Sequence, residues 1–293
     1  MSVLWYGSEW SNPINYYHLE LSEPPGGPKA PGGSILYGRL LDMEGKTNRL
    51  RETIKSLDPF LVAFSGGVDS TLLIKIAKDI LKSEVTGVIV DSPTLPRSDL
   101  EEARQIADEL GINLIEMQTY EMELPNFSSN TSERCYFCKD HRYRILSQYA
   151  TENGYKNILD GSNHDDLTDH RPGQKAAQEH NVRSPLQEAG FTKTEIRQLA
   201  RKLGLPNWNK PSSACLASRI PYGTAITLEL LAQIEKAENF LSNLGFSEFR
   251  VRHHGEIARI EVPVELFELV IQQKSAIINA LEEIGYSYIT LDI

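Results

Sequence analysis

At 293 residues and 40% hydrophobic content, the chain has room for one large domain or two modest ones around a real core. Its net charge of −10 argues against a protein whose main partner is nucleic acid, since such binding rests on neutralising phosphates. No run of about 18 apolar residues and no N-terminal signal pattern occurs, so no membrane partner is expected and a cytoplasmic location is. There the three cysteines, Cys135, Cys138 and Cys215, are expected as reduced thiols or metal ligands.

Residues 1–45 differ from the rest. Trp5, Tyr6, Trp10, Tyr16 and Tyr17 are followed by Pro24-Pro25-Gly26-Gly27-Pro28 and Pro31-Gly32-Gly33, a composition with little means of forming a packed core. This stretch is expected to be a poorly ordered extension, with Met43 as an alternative start. Residues 46–56 read as a helix and 60–64 as a fully buried strand. A glycine turn then leads into an apolar helix over 71–81. A second strand is expected over 85–90, ending in Asp91-Ser92-Pro93. Ser98, with Glu101 three residues on, predicts a capping box opening a helix that Gly111 stops. Strands over 113–117 and 156–160 flank a helix over 135–149. Strands alternating with helices predict an α/β fold with a doubly wound parallel sheet. Ligands of such sheets sit at the carboxyl ends of the strands, where the glycine turn, Asp91-Ser92 and Asp160-Gly161-Ser162-Asn163 fall.

Beyond a helix over 194–203 comes loop chemistry around Pro206, Pro211 and Pro221. Thr227 opens a helix to Leu244, and strand-like runs over 248–252 and 256–262 meet at His253-His254-Gly255, where the histidines read as turn residues. A helix over 264–284 and a strand over 286–291 finish the chain. The expected organisation is an extension over 1–45, a nucleotide domain over 46–221 and a smaller α+β domain over 222–293 for substrate and oligomer contacts. No internal repeat is visible.

The turn is Ser65-Gly66-Gly67-Val68-Asp69-Ser70. Glycines let backbone approach a ligand closely, and a helix N-terminus offers unpaired N–H groups and partial positive charge to a phosphate. It is neither a Walker A loop nor G-x-G-x-x-G. Asp69 and Ser70 could equally cap the helix. Cys135 and Cys138 lie three apart on one helical face, the spacing of metal ligands or of a redox pair. With Cys215 they could hold zinc if His141 were a fourth ligand, or a cubane iron–sulfur cluster with one open iron, or be three unrelated buried thiols.

The turn resembles the pyrophosphate loop, or PP-loop, of the N-type ATP pyrophosphatases. More of the chain resembles the LarE family, ATP-dependent sulfur transferases of nickel-pincer nucleotide biosynthesis. That resemblance rests on the turn, on Asp160-Gly161-Ser162-Asn163-His164-Asp165-Asp166, on Asp169-His170-Arg171-Pro172-Gly173, on Ser184-Pro185-Leu186, on the block from Lys210 to Gly223 around Cys215, and on Val251-Arg252-His253-His254. It spans residues 46–293 and implies an adenine nucleotide alpha hydrolase-like PP-loop domain.

The resemblance implies that ATP adenylates a carboxylate of a pyridinium-3,5-biscarboxylic acid mononucleotide, that pyrophosphate leaves, and that sulfur then displaces AMP to give a thiocarboxylate. Some family members sacrifice the cysteine at position 215; others carry two more and hold a [4Fe-4S] cluster, and Cys135 and Cys138 place this chain with the latter. The loop residues Ser65, Gly66, Gly67, Asp69 and Ser70, with Asp91 and Ser92, are the expected ATP contacts, Asp69 beside Mg²⁺. Arg250 and Arg252 resemble a pair that holds substrate phosphate, with Arg219 adding to the pocket. Asp160, Asn163 and Asp166 touch metal or nucleotide, or cap the following turn. Expected partners are the mononucleotide, a sulfide donor or reductant system and a second copy of the chain as a homo-oligomer. The rivals are a tRNA-thiolating PP-loop enzyme, a sacrificial-cysteine transferase using Cys215, and a nucleotide-sensing or metal-carrying module.

Overall fold

The computed structural model describes residues 33–82, 84–168 and 172–293. The aromatic and proline-rich segment over 1–32 and the motif residues Asp169, His170 and Arg171 lie outside the described residues. The chain divides into two units, residues 1–41 and 42–293. Helix α1 spans Gly33–Leu57, so the helix expected over 46–56 begins well inside the expected extension.

In the larger unit, β1 (Phe60–Ala63) is buried on both faces because its side chains alternate between two apolar layers. Phe60, Val62 and Phe64 join Leu50 and Ile54 of α1 on one side. Helices α2 (Val68–Leu81) and α3 (Arg97–Leu110), on either side of β2 (Thr86–Asp91), complete that layer. Leu61 faces the other way, toward Tyr143, Leu146 and Ala150. These belong to α5 (Arg134–Glu152), which follows β3 (Asn113–Gln118) and the short α4 (Pro125–Ser128). After β4 (Asn157–Leu159) come α6 (Pro172–Glu179), α7 (Pro185–Glu188) and α8 (Lys193–Lys202). The sheet has the order β3-β2-β1-β4, with every pairing parallel. This is the doubly wound α/β architecture expected. The strand order reverses between β1 and β4, and a crevice at such a reversal is where ligands of these sheets bind.

A second, three-stranded sheet follows α9 (Leu228–Asn243), whose N-cap Thr227 accepts from the Leu230 amide at 3.2 Å. Strands β5 (Arg250–His254) and β6 (Ile257–Glu261) form an antiparallel hairpin, and β7 (Tyr288–Leu291) adds parallel to β6. His253, expected in the turn, lies inside β5, buried against Tyr286 at 5.8 Å between rings. The helix expected over 264–284 is divided into a 3-10 turn, α10 (Phe267–Gln272) and α11 (Lys274–Ile284), with Gln273 outside helical backbone geometry. The capping box expected at Ser98 is absent. The helix starts at Arg97, whose amide donates to Glu235 of α9 at 2.6 Å, so another element satisfies that N-terminus. Among the described residues no helix is long and apolar enough to cross a membrane.

Candidate active site

The glycine turn closes on itself through serine hydroxyls. The Ser65 amide donates to Ser70 Oγ at 3.2 Å, and Ser70 Oγ donates to the Gly67 carbonyl at 3.1 Å. No side chain caps α2, so its first-turn amides remain turned toward the crevice. Gly66 has φ +68°, and a Cβ there would stand 2.8 Å from the Ala103 Cβ. Gly161, two residues past the end of β4, has Ser70 N 2.8 Å from where its Cβ would be. Only glycine lets the loop after β4 approach the first turn of α2 this closely.

Asp69 does not cap the helix. Its carboxylate pairs with the Lys193 ammonium and accepts from Asn163 Nδ2 at 3.5 Å. Asp160 accepts from the Tyr143 hydroxyl at 3.0 Å, the Ser162 amide at 3.1 Å and the Ser184 hydroxyl at 2.7 Å, and so holds the loop after β4. Two bonds tie the turn that follows: the Asn163 amide donates to the Asp166 carboxylate at 2.8 Å, and the Asp165 amide donates to Asn163 Oδ1 at 3.0 Å. Asp91 pairs with Arg97 at 2.5 Å. Ser92 is buried and donates to the fully buried Glu121.

The thiols gather beside the loop after β2, where the Leu216 amide donates to the Thr94 carbonyl at 2.8 Å. Cys138 and Cys215 pack against one apolar cluster that includes Phe127, Leu216 and Ile220, while Cys135 is exposed. Burial pushes the Cys138 thiol up to about 11; the Arg142 guanidinium opposes this, and Glu121, Cys215 and Cys135 add to it. Cys215 and Cys135 are therefore both within electrostatic reach of Cys138. Burial also works against the Glu121 carboxylate, but Arg142, 3.5 Å away, and the Ser92 hydroxyl hold it below the ordinary range. Among the described residues no three His, Cys, Asp or Glu side chains stand close enough to hold a metal ion, and His141 does not join the thiols in such a group.

The segment around Cys215 is pinned by arginines from three places. Arg134 donates to the Ala217 carbonyl at 2.7 Å, Arg252 to the Ser218 carbonyl at 2.9 Å, and Arg219 to the carbonyls of Ala214 and Cys215 at 2.7 and 3.2 Å. Arg219 is buried, and its remaining donors go to Glu238 and Ser218. It has no fork free for an anion, which corrects the expectation that it lines a phosphate pocket. Arg250 and Arg252 share the open face of β5, since Val251 between them is buried. Arg252 also pairs with Glu261 at 2.8 Å, whereas Arg250 has no hydrogen bond or ion pair among the described residues.

Sequence reasoning missed Lys193, Asn207, Glu121 and Arg142. Lys193 is the first residue of α8, where a cation opposes the helix dipole. That local conflict is a signal of function that could have found it. Arg142 lies four residues after Cys138, on the same helical face, and was also findable. Asn207 donates to the Gly66 carbonyl at 2.8 Å, and Glu121 follows β3; neither is announced by its neighbours in sequence.

Comparison with known proteins bears on this arrangement. A family model described as NAD synthase matches residues 45–229. An uncharacterized protein of Synechocystis sp. is 42% identical over 253 residues, covering 86% of this chain and 94% of that one. The pyridinium-3,5-bisthiocarboxylic acid mononucleotide synthase of Lactiplantibacillus plantarum is 40% identical over 249 residues, 85% of this chain and 90% of the synthase. An uncharacterized protein of Methanocaldococcus jannaschii is 30% identical over 249 residues, 84% of this chain and 93% of that one. The glycine turn at the sheet reversal and the long match to a bisthiocarboxylate-forming synthase agree: the chain belongs to the LarE family of PP-loop proteins, within the NAD synthase type.

Proposed function

We propose that this chain is an ATP-dependent sulfur transferase of nickel-pincer nucleotide cofactor biosynthesis. It adenylates a carboxylate of pyridinium-3,5-biscarboxylic acid mononucleotide and converts it to a thiocarboxylate. The observation that carries this reading is the 40% identity, over 90% of its length, to a synthase named for the bisthiocarboxylic product. The chemistry needs activation because a carboxylate delocalises its charge and resists nucleophiles. A carboxylate oxygen attacks the α-phosphorus of ATP and pyrophosphate leaves; a sulfur nucleophile then attacks the acyl carbon of the mixed anhydride and AMP leaves.

The residues divide the work. The turn over 65–70 and the α2 N-terminus receive the β,γ-phosphates. Asp69 faces the Mg²⁺ that accompanies them, and Lys193, its present partner, supplies positive charge to the departing pyrophosphate. Arg250, the guanidinium of β5 without a partner among the described residues, and Arg252 take the phosphate of the mononucleotide, for which a guanidinium fork is suited. In this division residues 46–221 form the nucleotide domain and 222–293 the substrate and oligomer domain of a cytoplasmic homo-oligomer.

Sulfur delivery we assign to Cys135, Cys138 and Cys215. The donor set fits a [4Fe-4S] cluster by chemistry: Cys138 has the soft thiols of Cys135 and Cys215 and the half-buried cation Arg142 within electrostatic reach. Bound there, such a cluster would supply an iron without a protein ligand, able to carry a labile sulfide provided by a donor. A sacrificial Cys215 is the second reading, favoured by one observation: the thiols as folded do not form a closed metal-holding group.

Substrate-dependent pyrophosphate release tests the first half-reaction. The wild-type chain is expected to release AMP and pyrophosphate only with the mononucleotide present, and Asp69→Ala to abolish release while the melting temperature holds. ADP and phosphate as products, or undiminished release by the variant, would defeat the reading.

A further inference from the structure

Cys215 has no helix or strand of its own to hold it; a 3-10 turn, Leu216–Arg219, begins after it. Besides the Arg134 and Arg252 bonds that follow it and the Leu216 amide on the Thr94 carbonyl at 2.8 Å, its backbone is held by Arg219, which donates to the carbonyls of Ala214 and Cys215 and forks onto Glu238 of α9 at 2.9 and 3.1 Å. Glu238 Oε1 also accepts the amide of Val251 at 3.0 Å, and Val251 lies between the two arginines of β5. The Arg219 and Glu238 side chains are only 7% and 11% exposed, so solvent does not compete for these bonds. One continuous buried connection thus runs from the Cys215 carbonyl to the strand that carries Arg250 and Arg252.

We infer that the Arg219–Glu238 pair is a positioning device that sets Cys215 in register with the substrate-binding face of β5. The inference rests on the proposed function above. A mononucleotide held by its phosphate at β5 presents its acyl carbon at a fixed distance, so the sulfur end must be held to the same strand. The ATP end does not depend on this pair. Apolar contacts of Leu231 and Ile234 with Phe127, Leu216 and Ile220 keep α9 against the rest of the unit without it. Neither Arg219 nor Glu238 touches the turn over 65–70. Their role is therefore confined to the second half-reaction.

The test is the double variant Arg219→Met/Glu238→Gln, which carries no buried charge and keeps an acceptor for the Val251 amide. Replacing both members of a buried pair is commonly tolerated where removing one is not. Full-length protein is compared with wild type for melting temperature, pyrophosphate release, thiocarboxylate yield and, in metal-free chains, the rate at which a maleimide labels Cys215. The expected result is an unchanged fold, pyrophosphate release near the wild-type rate, thiocarboxylate reduced about 10- to 100-fold, and faster labelling at position 215. Parallel loss of both products, or wild-type labelling and yield, would overturn the inference. If wild-type protein made no thiocarboxylate at all, the functional reading would fail, and the labelling rate alone would still decide whether this pair holds Cys215.

Discussion

The phosphate turn and the sulfur site are built on opposite plans. The phosphate end is local: six consecutive residues, two serine hydroxyls and a strand–helix junction make it, and Gly161 is one of the few outside contributions. The sulfur end is assembled from a distance. Cys135 and Cys138 come from α5 and Cys215 from an irregular segment, held in place by arginines at 134, 219 and 252. A backbone cradle suits a phosphate, whose oxygens want many donors and tolerate small displacements. A sulfur atom that must strike one carbon needs a fixed point, and where secondary structure does not supply it, buried guanidinium–carbonyl bonds do.

That contrast can be broken most sharply at the thiols. Each of Cys135→Ala, Cys138→Ala and Cys215→Ala is expected to eliminate sulfur transfer while pyrophosphate release persists, and to eliminate iron binding and the brown colour of anaerobically purified protein. Protein that contains zinc without iron would contradict the assignment. Next in size are the arginines of β5. Arg250→Ala and Arg252→Ala each remove a charge-assisted hydrogen bond of about 1.5–3 kcal/mol, so mononucleotide affinity should fall about 10- to 150-fold by titration calorimetry. ATP affinity should change far less, and equal weakening of both ligands would count against the role. Smaller again is Gly161→Ala. Its Cβ would press on Ser70 N, so a loss of about 1–3 kcal/mol in denaturant unfolding is expected, as for other overpacked sites, with weaker ATP binding. Unchanged values would mean that the loop after β4 and the first turn of α2 do not need to touch.

The smallest effect is a pH dependence confined to the second sheet. Burial, reinforced by His254, holds the His253 imidazole below its ordinary 6.5. The unfolded chain then takes up the proton first, so stability present above about pH 6.5 declines as pH falls toward the folded-state value. His253→Gln should flatten that slope in thermal melts between pH 7.5 and 5; an unaltered slope would assign it to another group.

The same contrast explains what is legible in the sequence. The turn over 65–70, the order of strands and helices and the Thr227 cap are encoded by neighbours in the chain, and each stands where its local pattern places it. Arg219 reads as an anion ligand in sequence because its buried partner, Glu238, lies 19 residues away on another element. Glu121 and Asn207 are silent in sequence for the same reason, being meaningful only through contacts at 29 and 141 residues' separation. Ser98 shows the converse error, in which a valid local capping pattern gives way to Glu235 arriving from α9.

The central claim is that one end activates a carboxylate and the other delivers sulfur to it, repeatedly. It is tested most directly by counting, in one anaerobic reaction with excess ATP, mononucleotide and sulfide, the pyrophosphate released and the thiocarboxylate formed per chain, with the mass of the protein recorded before and after. The account predicts one pyrophosphate per thiocarboxylate, more than one turnover per chain, and an unchanged mass at Cys215. Pyrophosphate without thiocarboxylate, or a single turnover that leaves dehydroalanine at position 215, would contradict it.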